Sequence, residues 1–168
     1  RDIVEDLRRL SSDGSGESVV FDLAEVTRIA ASWVLRGMKL PVVLDDSGLA
    51  RAMVFGRPGH IQQVVMNLVQ NSIDAMEGRE GAKITLSLTT GAGKAALNVA
   101  DNGPGVAPEQ REAIFDPFFT TKPVGRGTGL GLSISQKIAE EHGGSLTLDD
   151  AGPGATFRLT LPLAEGAP

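Results

Sequence analysis

Two glycine turns constrain this chain more than any other feature: one closes an alternating run and the other opens a helical run. They bound the stretch DNGPGVAPEQREAIFDPFFTTKPVGRGTGLGLS, from Asp101 to Ser133. The first grows from Asp101 as Asp-x-Gly-x-Gly, with Gly103 and Gly105. The second sets Gly125, Gly127, Gly129 and Gly131 around Arg126, Thr128 and Leu130. Glycine tolerates φ > 0 and lets a backbone approach another group closely. A glycine cluster ahead of a helix presents unpaired N–H groups and the positive end of a dipole to anions. Three of the six phenylalanines, Phe115, Phe118 and Phe119, lie between the turns. Two such turns joined by a polar, proline-containing loop describe a nucleotide pocket under a mobile lid. A carboxylate at its floor can tell one base from another.

Composition places the chain among ordinary globular domains. Its 168 residues are enough for one, and 41% hydrophobic with 22% charged residues excludes a disordered or fibrous chain. The net charge is −5 and the 16 basic residues form no block, which argues against a general nucleic-acid binder. There is no cysteine, hence no disulfide framework and no thiol chemistry, which fits a reducing compartment. No apolar run approaches the ~20 residues that span a bilayer, and no signal peptide is visible. The expected location is cytoplasmic, with no membrane contact from this segment. The chain starts at an arginine within a helical pattern and reads as a piece of a longer protein, whose anchor could lie upstream.

Residues 1–10 carry Ile3, Leu7 and Leu10 on one helical face, and SSDGSGES (11–18) is a linker by composition. The expected organisation is therefore a helix end plus linker over 1–18, a domain over 19–163 and a short tail over 164–168. Asp22 and Glu25 form a capping pair for a helix over 22–36, with Leu23, Val26, Ala30 and Trp33 on its packed face. Residues 41–45 and 52–56 read as strands, and Pro58 opens a helix that runs to about Met76. Residues 82–90 and 94–100 alternate around Gly-Ala-Gly as a β-hairpin. A helix from about Leu130 to His142 stops at Gly143-Gly144, and 145–149 with 155–162 form a last hairpin. Helices kept apart from hairpins predict an α+β two-layer sandwich, about three helices on a mixed, mostly antiparallel sheet.

Over 60–76, Ile61, Val64, Val65, Leu68, Ala75 and Met76 share one face, extended by Met66, Val69 and Ile73. Asn67, Asn71 and Asp74 fall on the remaining arc. Polar groups on a mostly buried helix need partners, or each costs ~1–3 kcal/mol. A hydrated Mg²⁺ with its phosphates would supply them; a solvated stripe is the plainer alternative. Asp101 can accept from the exocyclic amine of adenine and repel the carbonyl of guanine; an Asx turn is the alternative. The glycine cluster can cradle phosphates or can be a flexible loop. The phenylalanines can pin a lid that brings Lys122 and Arg126 to the phosphates. His60 and His142 stand at helix ends, where structural roles are usual, His142 in a last turn that favours a cation.

In order and spacing these pieces resemble the catalytic and ATP-binding domain of sensor histidine kinases, within the gyrase, Hsp90, histidine kinase and MutL superfamily. NLVQNSIDAM is similar to the N box, DNGPGV to the first glycine box, IFDPFFTTK to the F box and GTGLGLSIS to the second glycine box; GATFRLTLP resembles the last strand. The likeness covers roughly 19–163, and NSIDAM and FTTKPVG are nearest the nitrogen-regulation and oxygen-sensor type. It implies a Bergerat ATP-binding fold, with ATP and Mg²⁺ as cofactors. It implies Asn71 as the main Mg²⁺ ligand with Asn67 nearby, and Asp74 holding the pocket's hydrogen bonds. Asp101 would bind the adenine amine, with Gly103 and Gly105 making room. Gly127, Gly129 and Gly131 would line the phosphates, and Phe119, Thr121, Lys122, Arg126, Thr128 and Leu130 would complete the nucleotide contacts. Asn67, Asn71 and Lys122 would be the catalytic set.

Two departures from the family pattern bear on function. Hydrolytic superfamily members carry a water-activating Glu one turn before the Mg²⁺ Asn; here that place is Asn67, which offers no general base, an effect of roughly 10²–10⁴-fold. The phosphoacceptor helix with its His box is missing, and 1–10 resemble the end of the second bundle helix. The expected activity is transfer of the ATP γ-phosphate to a histidine on a dimerisation domain absent from this chain, for relay to a response regulator receiver domain. The alternatives are a chaperone or repair-type ATPase, a non-catalytic ATP-sensing docking domain, and a serine kinase of the anti-sigma type.

Overall fold

The computed structural model describes residues 17–38, 41–120, 131–149 and 152–164. Strand β1 (Val19–Asp22) leads into helix α1 (Leu23–Arg36), followed by β2 (Val43–Gly48) and β3 (Met53–Gly56). Helix α2 (Pro58–Ala75) precedes the hairpin of β4 (Lys83–Gly91) and β5 (Lys94–Asp101). Two single 3₁₀ turns follow, then α3 (Gly131–Glu141), β6 (Ser145–Asp149) and β7 (Thr156–Pro162).

The main sheet runs β2-β4-β5-β7-β6, parallel only between β2 and β4. β1 and β3 form a separate antiparallel pair, joined to the end of β7 by a bridge between Val54 and Leu163. This is the mixed, mostly antiparallel sheet with three helices that the pattern predicts. Alternation explains which face is covered. Ile84, Leu86 and Leu88 of β4 and Ala95, Leu97 and Val99 of β5 are all buried. They share a core with Ile61, Val64, Val65 and Leu68 of α2. That wall of β-branched and leucine side chains is the floor on which α2 and α3 lie.

Local chemistry sets the helix ends. The Asp22 carboxylate accepts from Ala24 N at 3.1 Å and also from Ala52 N at 3.0 Å, so it caps α1 and fastens the approach to β3. α3 ends in paired reverse bonds, Gly143 N to Glu140 O at 3.0 Å and Gly144 N to Ala139 O at 2.9 Å. Gly143 has φ 76, which a side chain would resist.

Several expectations change. Strand β1 falls between the linker expected over 11–18 and the helix expected from 22, where no strand was expected, and β2 lies at 43–48 rather than 41–45. Trp33 is 48% exposed, because the packed face of α1 turns through Leu23, Ala24, Val26, Thr27, Ala30 and Ala31. Ala75 is exposed at the last turn of α2. The expected helix end over 1–10 lies outside the described residues.

Candidate functional site

Helix α2 carries the amide stripe, but its members have different surroundings. Asn67 is buried, and its Nδ2 donates to Ser135 Oγ at 3.2 Å and to Gly131 O at 3.4 Å. The first polar residue of the stripe therefore lies inside the seam between α2 and α3, at the first turn of α3. Asn71, one turn on, is half-buried. Asp74 is half-buried and accepts from Gln70 Nε2 at 3.0 Å. The seam leaves room for Gly131 against Asn67: an added Cβ there would stand 3.8 Å from Asn67 Cγ.

Asp101 closes β5 and is 9% exposed. Its Oδ1 accepts from Gly103 N at 2.9 Å and from Ala155 N at 3.2 Å, while its own N–H donates to Ala155 O at 2.9 Å. One carboxylate oxygen is thus fixed by the turn after β5 and by the connection into β7, which sets the direction of the other. A Cβ on Gly103 would come 3.0 Å from that Oδ1 and 3.3 Å from Met76 Cγ. The turn is therefore pressed against the end of α2. Gly105 has φ 77, and a Cβ on Gly154 would run into the Asp101 backbone carbonyl. Asn102 pins the turn from outside, accepting from Lys83 N at 2.9 Å and donating to Gly81 O at 2.8 Å.

The phenylalanine loop divides. Phe115 is half-buried edge-on to Phe157, with ring centroids 6.4 Å apart. Phe118 is 64% exposed at φ 67. Phe119 is half-buried, its N–H donated to Asp116 O at 3.2 Å. Thr121, Lys122, Arg126, Gly127, Thr128, Gly129 and Leu130 lie outside the described residues. His142 has the structural role expected at a helix end, but through a ring lone pair rather than a charge: its Nε2 accepts the Arg57 backbone N–H at 3.1 Å.

Among the described residues no three His, Cys, Asp or Glu side chains gather into a metal cluster. A hydrated Mg²⁺ held by amide oxygens and phosphates needs none. Two amides one turn apart, Asn67 oriented by its donated bonds and Asn71 beside it, fit that kind of ion. Sequence reasoning missed Ser135, Gly154, Ala155 and Asn102. Ser135 was legible as the residue one turn beyond Gly131. The other contacts join segments far apart in the chain, and no local pattern marks them.

The family of histidine kinase-, DNA gyrase B- and HSP90-like ATPases matches residues 56–165. The chain is 43% identical to the two-component sensor PprA of Pseudomonas aeruginosa over 122 residues, which is 70% of this chain and 13% of that protein. It spans only 13% to 27% of the length of such curated relatives. The solved catalytic domain of histidine kinase ThkA is 34% identical with a TM-score of 0.73, over 87% of this chain and 97% of that one. ThkA solved in complex with the response regulator TrrA is 31% identical with a TM-score of 0.73, over 96% of this chain and 46% of that one.

Proposed function

Because this chain belongs to the histidine kinase-, DNA gyrase B- and HSP90-like ATPase family, we propose that it is the ATP-binding catalytic module of a two-component sensor histidine kinase. One observation carries the reading. Asn67 donates to Gly131 and Ser135, so the helix with the amide stripe meets the helix that follows the glycine cluster at the point where the cluster ends. Phosphate-binding N–H groups and Mg²⁺-binding amides need that proximity.

Around the seam the residues take complementary roles. Asp101 accepts the adenine amine, and Gly103 and Gly105 leave the base room. Asn71 holds Mg²⁺ with Asn67 beside it, and Asp74 orders the hydrogen bonds. Gly127, Gly129 and Gly131 line the phosphates, completed by Phe119, Thr121, Lys122, Arg126, Thr128 and Leu130. When bound, Mg²⁺ neutralises phosphate charge and orients the triphosphate. The protein's own part is positioning. Asn67 offers no carboxylate to activate water, and its amide nitrogen is committed to α3. Slow hydrolysis preserves the γ-phosphate for a histidine of the dimerisation bundle, from which it passes to a receiver-domain aspartate. Support for a receiver partner comes from ThkA, solved with a response regulator. ATP is a cytoplasmic substrate, so the module is placed on that side. Among the described residues no helix is long and apolar enough to cross a membrane. The nitrogen-regulation type remains the proposed subtype.

The rival reading is an ATPase whose closure does mechanical work. Radiolabelled ATP separates the two. The chain alone should neither label itself nor release phosphate quickly, and should label a cognate His-box bundle supplied in trans. Fast phosphate release without the bundle would favour the ATPase. Label on the isolated chain lost in His60→Gln or His142→Gln would identify an internal acceptor and overturn the proposal.

A further inference from the structure

The ring of His142 lies at a junction that the nucleotide chemistry does not use. Its Nε2 accepts the Arg57 N–H at 3.1 Å, and its Nδ1 lies 2.8 Å from Ile138 O, one turn back on α3. A backbone amide only donates, so Nε2 is unprotonated and Nδ1–H is the donor. Both nitrogens of a neutral ring are thereby used. Arg57 is the N-cap position of α2 and has no side-chain cap there. The ring also fills the space over Gly56, where a Cβ would stand 2.7 Å from Nε2. His60 packs edge-on to it, ring centroids 6.2 Å apart.

This junction is the far end of the seam that Asn67 closes. The start of α2 meets the end of α3 at Arg57 and His142, and a later turn of α2 meets the start of α3 at Asn67, Gly131 and Ser135. The helices are antiparallel, and the two ties are about ten residues, or ~15 Å, apart along α2. The buried face of α3, with Ile134, Ile138 and Ala139, holds it on the core, and the two polar ties oppose sliding and tilt at its two ends. Since α3 opens at Gly131, its placement sets where Gly131 stands against Asn67.

We propose that His142 is a positioning residue for the nucleotide site, holding the end of α3 on the start of α2 through a neutral imidazole and so setting where Gly131, the first residue of α3, stands against Asn67. This rests on the ATP-binding reading above.

The test uses the 168-residue chain and four variants. His142→Phe keeps the ring and loses both hydrogen bonds. His142→Gln keeps an acceptor within reach of Arg57 N. Gly56→Ala displaces the ring from below, and its backbone permits Ala because its φ is not positive. Gly56→Ala combined with His142→Ala completes a cycle. ATP·Mg²⁺ affinity is measured by calorimetry at a temperature where each variant is folded. Melting temperatures and imidazole ¹⁵N spectra are recorded alongside. His142→Phe and Gly56→Ala should each weaken affinity about two- to tenfold, the range of one net hydrogen bond, with His142→Gln nearer wild type. Gly56→Ala should add nothing once His142 is Ala. The wild-type spectrum should be that of the Nδ1–H tautomer. Variants that melt earlier yet bind ATP like wild type when folded would reduce His142 to a stability role and overturn the proposal, as would an Nε2–H tautomer. A wild-type chain that binds no ATP would instead refute the functional reading itself.

Discussion

Replacing Asp101 with Asn tests how the base is read. The carboxylate does two jobs with two oxygens. Oδ1 accepts from Gly103 N and Ala155 N, and the other oxygen is the proposed acceptor for the adenine amine. Asp101→Asn keeps an oxygen for the two backbone donors and puts an amide NH₂ where the second oxygen was. The lost bond is of the charged kind, worth ~1.5–3 kcal/mol, so ATP affinity should fall about 10- to 150-fold. Two donors would also face each other, while the guanine carbonyl would gain one. The ATP-to-GTP preference should therefore narrow or invert, with the melting temperature close to wild type. Asp101→Ala is a poorer probe. It strands two buried N–H groups at ~1–3 kcal/mol each, a large share of the ~5–15 kcal/mol that holds a typical domain. Calorimetry with both nucleotides and a thermal melt of each variant make the comparison. An Asn variant that melts like wild type and still binds ATP as tightly would remove Asp101 from base recognition. One that melts as early as the Ala variant would refute the shared-oxygen argument.

Asn71→Ala should abolish the Mg²⁺ dependence of ATP affinity and leave the melt nearly unchanged, since Asn71 is half-buried; equal ATP affinity with and without Mg²⁺ in the wild type would defeat this. Asp22→Ala should cost ~1–2 kcal/mol or more in a denaturant titration, because Ala52 N loses its acceptor together with the α1 cap. Asp45 has its carboxyl held below the usual range, first by the Ser47 hydroxyl at 2.6 Å, then by Ser47 N, and to a smaller extent by Lys83. A lowered folded value gives stability above the ordinary carboxylate range and loses it as the pH falls through the folded value. Melts of wild type and Ser47→Ala should therefore differ near neutrality and converge in acid; curves parallel at every pH would count against this account.

What could be read from the sequence was local. Alternation along Ile84–Leu88 and Ala95–Val99 marks β4 and β5, and Pro58 and Gly143-Gly144 punctuate their helices within a residue or so of the observed ends. The turn chemistry of Asp101 was legible as well. The parallel pairing of β2 with β4 was not, because a strand pattern names a face and not a neighbour. Val19–Asp22 was too short and too close to a cap to register as a strand. Trp33 shows the limit of periodicity: on a helix flanked by small alanines, the apolar spacing fits two faces, and packing chooses the one with the alanines. Asn67 looked like part of a wet stripe because nothing near it in the chain reveals Ser135. Residues that act across the fold, such as Ala155 on Asp101, leave no mark on their own neighbourhood.

Strand β7 is inserted between β5 and β6, and it is the last strand of the sheet to be synthesised. Until it arrives, β5 has an open edge, a template for mispairing with another chain. Local hairpins can form early, but the sheet cannot close piecemeal, and the long-range pairing of β5 with β7 should govern the folding rate. Asp101 waits on the same event, since the Ala155 N–H that fixes its Oδ1 comes from 54 residues further along. A nascent chain thus has every residue of its first glycine turn long before that turn can hold a base. Ligand binding during synthesis would therefore report completion of the sheet, and a stalled chain short of Thr156 should be both unable to bind and prone to associate.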